Sequence, residues 1–593
     1  MTYDAPTRHM RFLMEEVLGL EAIAELPGYG EASPETVAAI LDEAARFAGT
    51  ELAPLNASGD RQGARLEGER VVAPDGFAEA YQAFVEGGWN AVACDEAHGG
   101  MGLPALVATA TQEMWQSANM AFGLCPLLTA SAIDLLAQRG TDEQQKTYLE
   151  PLVQGRWTGT MDLTEPQAGS DLAAVRTRAV PDGGRYRLFG QKIYITWGEH
   201  DMAENIVHLV LARTPDAPAG VKGLSLFIVP AYLPDARGNP GERNDMRCAG
   251  IEHKLGIHAS PTCTMVYGEG DGAIGDLVGE EGRGLEYMFT MMNEARHKVG
   301  AQGVAVAERA YQLAAAFAGE RVQGKTACGD ATIVGHPDVR RMLLTMKAIA
   351  EATRSLTYAV AAAGDHARRG PERFSRDRAQ RRVDLLTPVV KAWCTELGVE
   401  AASLGIQVHG GMGYVEETGA AQYLRDARIS PIYEGTNGIQ ANDFLGRKLL
   451  RDDGEAMRAL LDDMAVDADA LADATHEHLS TLGAGLVAAI SELRRTTDWV
   501  LTQTRGNAVA AGSVAWPLLM QTGYVCGGWL LGRGARAAAD RGDGGDAFHR
   551  ARIDVARFYS AHLLPRAATH ATAVRAGAGA VAETATAAVL GEL

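Results

Sequence analysis

YRLFGQKIYIT, residues 186–196, is rich in aromatic and β-branched side chains and predicts a β-strand in a chain that otherwise reads as helix. NIVHLVLAR (205–213), GLSLFIVP (223–230) and CTMVYG (263–268) have the same character and are separated by Gly, Pro and Asp. Together they predict an antiparallel sheet or barrel that begins near residue 158. On the N-terminal side, SPETVAAILDEAARFAGTEL (33–52) puts Ser33 and Pro34 at a helix start and repeats its apolar residues at helical spacing. Helical character persists through SAIDLLAQRGTDEQQKTYLEPLVQG (131–155). On the C-terminal side, GLEYMFTMMNEARHKVGAQGVAVAERAYQLAAAFAGERVQ (284–323) carries apolar side chains on more than one face, as a helix buried in a bundle does. Helical segments continue beyond 453, with DRGDGGDA (540–547) as a loop and an Ala/Gly-rich end after 565 that suits either a terminal helix or a frayed one. The chain thus divides into an N-terminal extension (1–33), a helical domain (34–157), a β domain (158–280), a helical bundle (281–452) and an extra helical domain (453–593).

Bulk properties agree with a large multidomain protein. At 593 residues the chain is too long for one core, and about 150 residues per domain suggests three or four. A net charge of -20 argues against a nucleic-acid surface and against docking on an anionic membrane. The seven cysteines are odd in number, scattered and without a CxxC pair, so neither a disulfide framework nor a metal site is expected and a reducing cytoplasm fits best. The N-terminal residues show no signal-peptide pattern, and no run of about 18 uncharged apolar residues predicts a membrane span.

Three stretches carry the chemistry. PIYEGTNGIQ (431–440) sets one ionisable side chain, Glu434, between an apolar triplet and a run of small or amide residues, with Gly435 beside it so that another group can come close. By itself such a run of turn formers marks a surface turn. MDLTEPQAGSD (161–171) offers the hydroxyls of Thr164 and Ser170 and amides freed by Gly169, a set that suits a polar ring edge and a phosphate without net positive charge. KIYITWG (192–198) alternates like a strand and ends in Thr196, Trp197 and Gly198. No GxGxxG or GxxxxGK loop follows a predicted strand, so neither a Rossmann fold nor a P-loop is supported, and HGGMGY (409–414) follows a helix and reads as a turn.

Taken in order, these stretches resemble the acyl-CoA dehydrogenase family of flavoproteins. The likeness includes HGGMGL (98–103), GTDEQQKTYLEPLVQGRW (140–157), MDLTEPQAGSD, KIYIT, KLGIHASPT (254–262), VGEEGRGLEYM (278–288), NEAR (293–296), GERVQG (319–324) and QVHGGMGYVEETGAAQYLRDARISPIYEGTNGIQ (407–440), and it covers roughly residues 35–450. The resemblance implies a mainly α fold with a central β domain: an N-terminal helical domain, a middle β-barrel-like domain and a C-terminal helical bundle, with FAD at their junction and across a subunit interface. It implies that Met161, Leu163, Thr164, Gly169, Ser170, Tyr194, Ile195 and Thr196 bind the cofactor, Thr164 at the ring and Thr196 near N5. Arg321, Gln407, Gly410 and Gly411 are expected to reach the cofactor of a neighbouring subunit, with Thr436, Asn437 and Gly438 against it. Ser170, Asn293, Arg296 and Gly435 are expected at the substrate, although Asn293 stands where the family usually has aspartate.

Glu434 matches the family's catalytic base. The α-proton of a saturated thioester is a very weak acid, so a carboxylate must sit within hydrogen-bonding reach while donors stabilise the developing enolate oxygen. The Glu434 backbone N–H is expected to be one such donor, and water displaced by the acyl chain raises the carboxyl pKa toward neutrality. Some members carry the base immediately before the arginine of the NEAR motif, where this chain has Ala295. Residues 455–593 resemble the extra helical domain of the long bacterial branch, which includes broad acyl-CoA dehydrogenases and 3-(methylthio)propanoyl-CoA dehydrogenases, and this implies a homodimer. The expected product is the trans-2-enoyl-CoA, with electrons passed to an electron-transfer flavoprotein. An acyl-CoA oxidase is the nearer alternative. A DNA-associated alkylation-response flavoprotein is the remoter one, since 455–593 has no Lys and more carboxylates than arginines. Whether the acyl group is a fatty chain or the thioether depends on helix packing that the sequence does not display.

Overall fold

A computed structural model describes residues 3–541 and 546–591. The chain forms two compact units, one comprising Leu41–Lys298 with the first residues of the chain, the other Pro6–Ile40 and the chain from Val299 onward.

In the first unit three helices lead into the sheet. Ala105–Ala118 and Met120–Arg139 are separated by Asn119, whose side chain caps the second by accepting from Phe122 N–H at 3.1 Å. Asp142–Val153 starts with a capping box between Thr141 and Gln144. Met120–Arg139 is long and apolar enough to cross a membrane, yet 83% of that window is buried inside the protein. Gly159 explains its close seat on the sheet: a Cβ there would meet the Ala132 methyl at 2.5 Å.

The expected strands form one eight-stranded sheet, in the order Met246–Ile251, Thr262–Tyr267, Arg185–Thr196, Ala273–Val278, Leu224–Pro230, Asn205–Arg213, Trp157–Asp162. Arg178–Asp182 pairs with Arg185–Thr196 and touches Asn205–Arg213 through Arg178↔Arg213, which closes five strands into a ring and gives the domain its barrel-like form. The pairing is not wholly antiparallel, because Trp157–Asp162 runs parallel to Asn205–Arg213. Strand entry from the helices and a return through the intervening hairpin make that crossover possible. Along Asn205–Arg213, Val207, Leu209 and Leu211 join one core cluster while Ile206, Val210 and Ala212 join another. Burial on both faces is why NIVHLVLAR reads as an unbroken apolar run.

In the second unit Pro337–Arg369 and Arg373–His409 form a helical hairpin. The C-terminal extension packs on it through Ala508–Asp540, where Gly523 and Gly527 leave room for the fully buried Trp393: a Cβ at either position would come within 2.3 or 2.7 Å of the indole. Pro6–Ile40, which includes most of the N-terminal extension, belongs to this unit. His9 Nδ1 lies 3.1 Å from Arg354, Arg354 donates to Glu308 at 2.8 Å, and Arg552 of the extension pairs with Glu351 at 2.9 Å, 3.8 Å from His9 Nε2 on the other carboxylate oxygen. Burial, and then the charges of Arg552, Arg354 and Lys347, hold His9 well below its ordinary pKa, so it serves this cluster as a neutral ring. The Ala/Gly-rich end forms Arg566–Arg575 and two short helices with exposed surfaces.

Candidate active site

The first unit brings the MDLTEPQAGSD and KIYIT stretches together. Trp157–Asp162 ends at Met161 and Asp162, and the chain then turns through Leu163, Thr164 and a tight bridge in which Glu165 and Ala168 exchange backbone hydrogen bonds at 3.0 and 2.9 Å. Thr164 O accepts from Ile193 N–H at 2.9 Å, which lays the loop along the end of Arg185–Thr196. Gly169 and Ser170 are exposed, and a Cβ on Gly169 would meet nothing within 4 Å, so a ligand can approach that backbone.

The strand end is bulged. Cys263 pairs with Ile195 but Met265 pairs with Lys192, so Arg185–Thr196 holds one extra residue at Ile193–Tyr194. Tyr194 takes φ 60° and is 60% exposed, and Trp197 takes φ 53°. Left-handed backbone at an aromatic residue costs on the order of 1–3 kcal/mol and persists only where surroundings enforce it. Here they do: Trp197 Nε1 donates to Ala121 O at 3.1 Å, and Thr160 Oγ1 donates to Thr196 O at 2.9 Å. The bulge buries Lys192 and Ile195, leaves Tyr194 outside and holds the half-buried Thr196 between Ile195 and Trp197.

Beneath this surface lies a polar network that the sequence analysis did not single out. Lys192 Nζ donates to Leu163 O and Glu165 Oε1, each at 2.9 Å. Glu165 also accepts from Thr177 Oγ1 at 2.6 Å and Arg176 N at 2.7 Å. Burial opposes ionisation of Glu165, but the Lys192 charge and these hydrogen bonds outweigh it and hold the carboxyl at about 2. Lys192 carries the cost of the pair, since burial lowers its pKa despite Glu165. The folded value of Glu165 lies below the ordinary 4.5, so its contribution to stability is complete above that pH and is lost as pH falls toward about 2. Urea midpoints should therefore fall more steeply across that acid window for the wild type than for Glu165→Gln. The signal in the sequence was a lysine at an inward position of an apolar strand. Further down, Asp162, His208 and Tyr267 form a fully buried cluster, with both carboxylate oxygens 3.2 Å from His208 Nδ1 and Tyr267 OH donating to Oδ2.

On Gly284–Glu320, Arg296 is buried over Phe289 and donates to the exposed Asn293 at 3.3 Å, while Ala295 is fully buried. Asn293 is thereby oriented at the surface by the arginine expected beside it.

The second unit holds Glu434. Its φ is 56°, followed by Gly435 at 81°, and Gln440 Nε2 bridges the carbonyl oxygens of both, each at 3.3 Å. Tyr433 OH donates to Gln302, and burial followed by the Glu434 charge raises the phenol's pKa, so it stays a neutral donor. Thr436 caps Asn437–Asp443 by accepting from Ile439 N–H at 3.2 Å. Asn437 faces inward: Lys391 donates to its Oδ1 at 2.8 Å, and its Nδ2 donates to Ala392 O, Thr395 Oγ1 and Glu396 Oε1 at 3.2, 3.0 and 2.9 Å. Its side chain is thus committed to the bundle, and it shapes the loop rather than reaching out of it. Gly438 is exposed.

Arg321, Gln407, Gly410 and Gly411 are all exposed. Gly410 turns the end of Arg373–His409 with φ 61°, and a Cβ on Gly410 or Gly411 would meet nothing within 4 Å. Met412, Tyr414 and Val415 beside them are exposed, Tyr414 to 87%.

Four family models match the chain in succession: the acyl-CoA dehydrogenase N-terminal domain at 34–156, the middle domain at 160–269, the C-terminal domain at 282–449 and the acetyl-CoA dehydrogenase C-terminal-like domain at 456–585. The 3-methylmercaptopropionyl-CoA dehydrogenase of Ruegeria pomeroyi is 50% identical over 577 residues, 95% of this chain and 96% of that protein. The broad-specificity linear acyl-CoA dehydrogenase FadE5 of Mycobacterium tuberculosis is 36% identical over 95% of this chain and 96% of its own. The structure of an acyl-CoA dehydrogenase complexed with FAD from Bacillus anthracis shares the fold, with a TM-score of 0.74 at 21% identity over 95% of this chain and 91% of that one.

Proposed function

The chain belongs to the acyl-CoA dehydrogenase family, and from that premise we propose that it is an FAD-dependent enzyme that converts an acyl-CoA thioester to the trans-2-enoyl-CoA with Glu434 as the base. The observation that carries the reading is the backbone of Glu434: a carboxylate held at φ 56° next to a glycine, by a side chain whose amide bridges two successive carbonyls. An ordinary surface turn has no need of that support.

The residues present fit the cofactor. Gly169, Gly410 and Gly411 expose backbone that any Cβ would cover, and Thr164, Ser170 and Thr196 bring hydroxyls without net charge. Met161 and Tyr194, with the backbone of Leu163 and Ile195, would line the ring's surroundings, and Thr436, Gly438, Arg321 and Gln407 are the further residues this reading gives to the cofactor. FAD, when bound, supplies the acceptor for the hydride that leaves the β-carbon. Glu434 takes the α-proton on its carboxylate, and its backbone N–H holds the thioester oxygen as negative charge develops there. Gly435 leaves that oxygen a path to the amide, and Asn293 and Arg296 orient the CoA portion.

The substrate is a fatty acyl-CoA or 3-(methylthio)propanoyl-CoA, and the relative at 50% identity, named for the thioether substrate, favours the second. An electron-transfer flavoprotein in the cytoplasm is the electron acceptor in this reading. Purified protein should be yellow, and anaerobic additions of butanoyl- to hexadecanoyl-CoA and of 3-(methylthio)propanoyl-CoA should bleach it, fastest with the true substrate. A protein that refuses FAD, or keeps its colour with every thioester, sinks the proposal. Rapid peroxide release without a mediator would instead make it an oxidase. The exposed Met412, Tyr414 and Val415 beside Gly410 give a homodimer an apolar surface to cover, so light scattering should report about twice the 62.9 kDa chain mass, and a tetramer would exclude this.

A further inference from the structure

We infer that Lys192 is a positioning residue for flavin binding: its buried ammonium pins the loop that carries Thr164 to the bulged strand end that carries Thr196. The inference rests on the reading of FAD as the cofactor.

Lys192 is fully buried and sits immediately before the extra residue of the bulge. Its two acceptors, Leu163 O and Glu165 Oε1, flank Thr164 in sequence. The next strand residue, Ile193, donates to Thr164 O itself, so three contacts within two residues of the strand fix three consecutive residues of the loop. Glu165 spreads that anchorage further, because its other hydrogen bonds come from Arg176 N, Thr177 N, Thr177 Oγ1 and Gln167 Nε2. The side chain that holds Lys192 therefore also holds the far end of the loop, beyond Gly169 and Ser170.

Stability alone does not call for this arrangement. A buried ion pair recovers its desolvation cost only with good geometry, and an apolar pair of similar volume is often as stable or more so. What the ammonium adds is register. Strand side chains alternate with period two, so without the extra residue every side chain beyond it, Thr196 included, would turn to the opposite face. Lys192 can reach Leu163 O and Glu165 only when the bulge falls after it, at Ile193–Tyr194. The lysine thus selects the register in which Tyr194 is exposed and Ile195 buried.

Lys192→Met keeps an unbranched side chain only one atom shorter and removes the charge. A hydrogen bond to a charged group is worth enough to move an affinity by roughly tenfold, so FAD should bind at least about tenfold more weakly to this variant. Hydrogen exchange at Ile193 N–H, the donor to Thr164 O, should accelerate in the protein freed of flavin. The double variant Lys192→Met/Glu165→Gln, which removes both charges of the pair, should regain melting temperature but not FAD affinity. Glu165→Gln alone, which preserves shape, should weaken FAD by a smaller factor and serves as the deciding variant if Lys192→Met does not fold. Wild-type FAD affinity in Lys192→Met, or in Glu165→Gln where that is the deciding variant, overturns the inference. So does an affinity in the double variant that recovers in step with melting temperature, since a merely structural pair behaves that way. Failure of the wild type to bind FAD would be a different result, and it would strike the cofactor reading itself.

Discussion

Glu434→Gln should reduce the rate of flavin bleaching by acyl-CoA by roughly 10²–10⁴-fold, the span over which a positioned general base contributes, while FAD remains bound. The amide is isosteric with the carboxyl and keeps the same backbone, so the left-handed conformation at 434, the bridge from Gln440 and the N–H proposed for the thioester oxygen all survive. The proton acceptor is lost. The variant should still bind the thioester, seen as a shift of the flavin spectrum without bleaching, and proton exchange at the α-carbon into deuterated water should stop. Desaturation at full speed in this variant would remove Glu434 from the mechanism. Glu434→Ala is the less informative change, because it removes the base and alters the volume beside Gly435 together. No carboxylate replaces it at the position before Arg296, where Ala295 is fully buried.

The sequence revealed the site's membership more fully than its shape. PIYEGTNGIQ displayed the carboxylate and the glycine next to it, because turn chemistry is local. It did not display φ at Glu434, since that value is imposed by Gln440 from the following helix, and glutamate has no intrinsic preference for the left-handed region. KIYITWG read as simple alternation, which puts Lys192, Tyr194 and Thr196 on one face. The structure buries Lys192 and exposes Tyr194, because one residue is inserted between positions that pair with Met265 and Cys263. A bulge occupied by tyrosine instead of glycine leaves no compositional trace. The strands themselves were legible where burial on both faces made an apolar run, as in Asn205–Arg213, but the parallel pairing of Trp157–Asp162 with that strand was not. Pairing direction depends on chain path rather than on side-chain period. The contacts of the N-terminal extension were not legible, because its partners are far away in sequence: His9 meets Arg354 and Glu351, and Arg8 pairs with Asp546. No local pattern announces contacts of that range.

Asn437→Ala should destabilise the protein by about 3 kcal/mol and slow the reaction although residue 437 need not touch substrate. The estimate follows from what the side chain does. It accepts from the fully buried Lys391 ammonium at 2.8 Å and donates to Ala392 O, Thr395 Oγ1 and Glu396, so truncation strips a buried cation of one acceptor and several buried acceptors of a donor. Thr436→Ala provides the internal scale, since losing a helix cap one residue away costs about 1 kcal/mol. Urea midpoints should therefore rank wild type above Thr436→Ala above Asn437→Ala, and a loss at 437 no greater than at 436 would show that the loop is not held from the bundle. Asn437→Asp separates charge from geometry. A carboxylate keeps the acceptor for Lys391 but cannot donate to Ala392 O, and it faces the Glu396 carboxylate where the amide had donated at 2.9 Å. Attraction to one buried cation is then set against repulsion from a neighbouring anion and a lost donor, so Asp should recover only part of the stability. The turnover of both variants should fall more than their stability at the assay temperature explains, because the segment released is the one that fixes Glu434 in a conformation it would not choose.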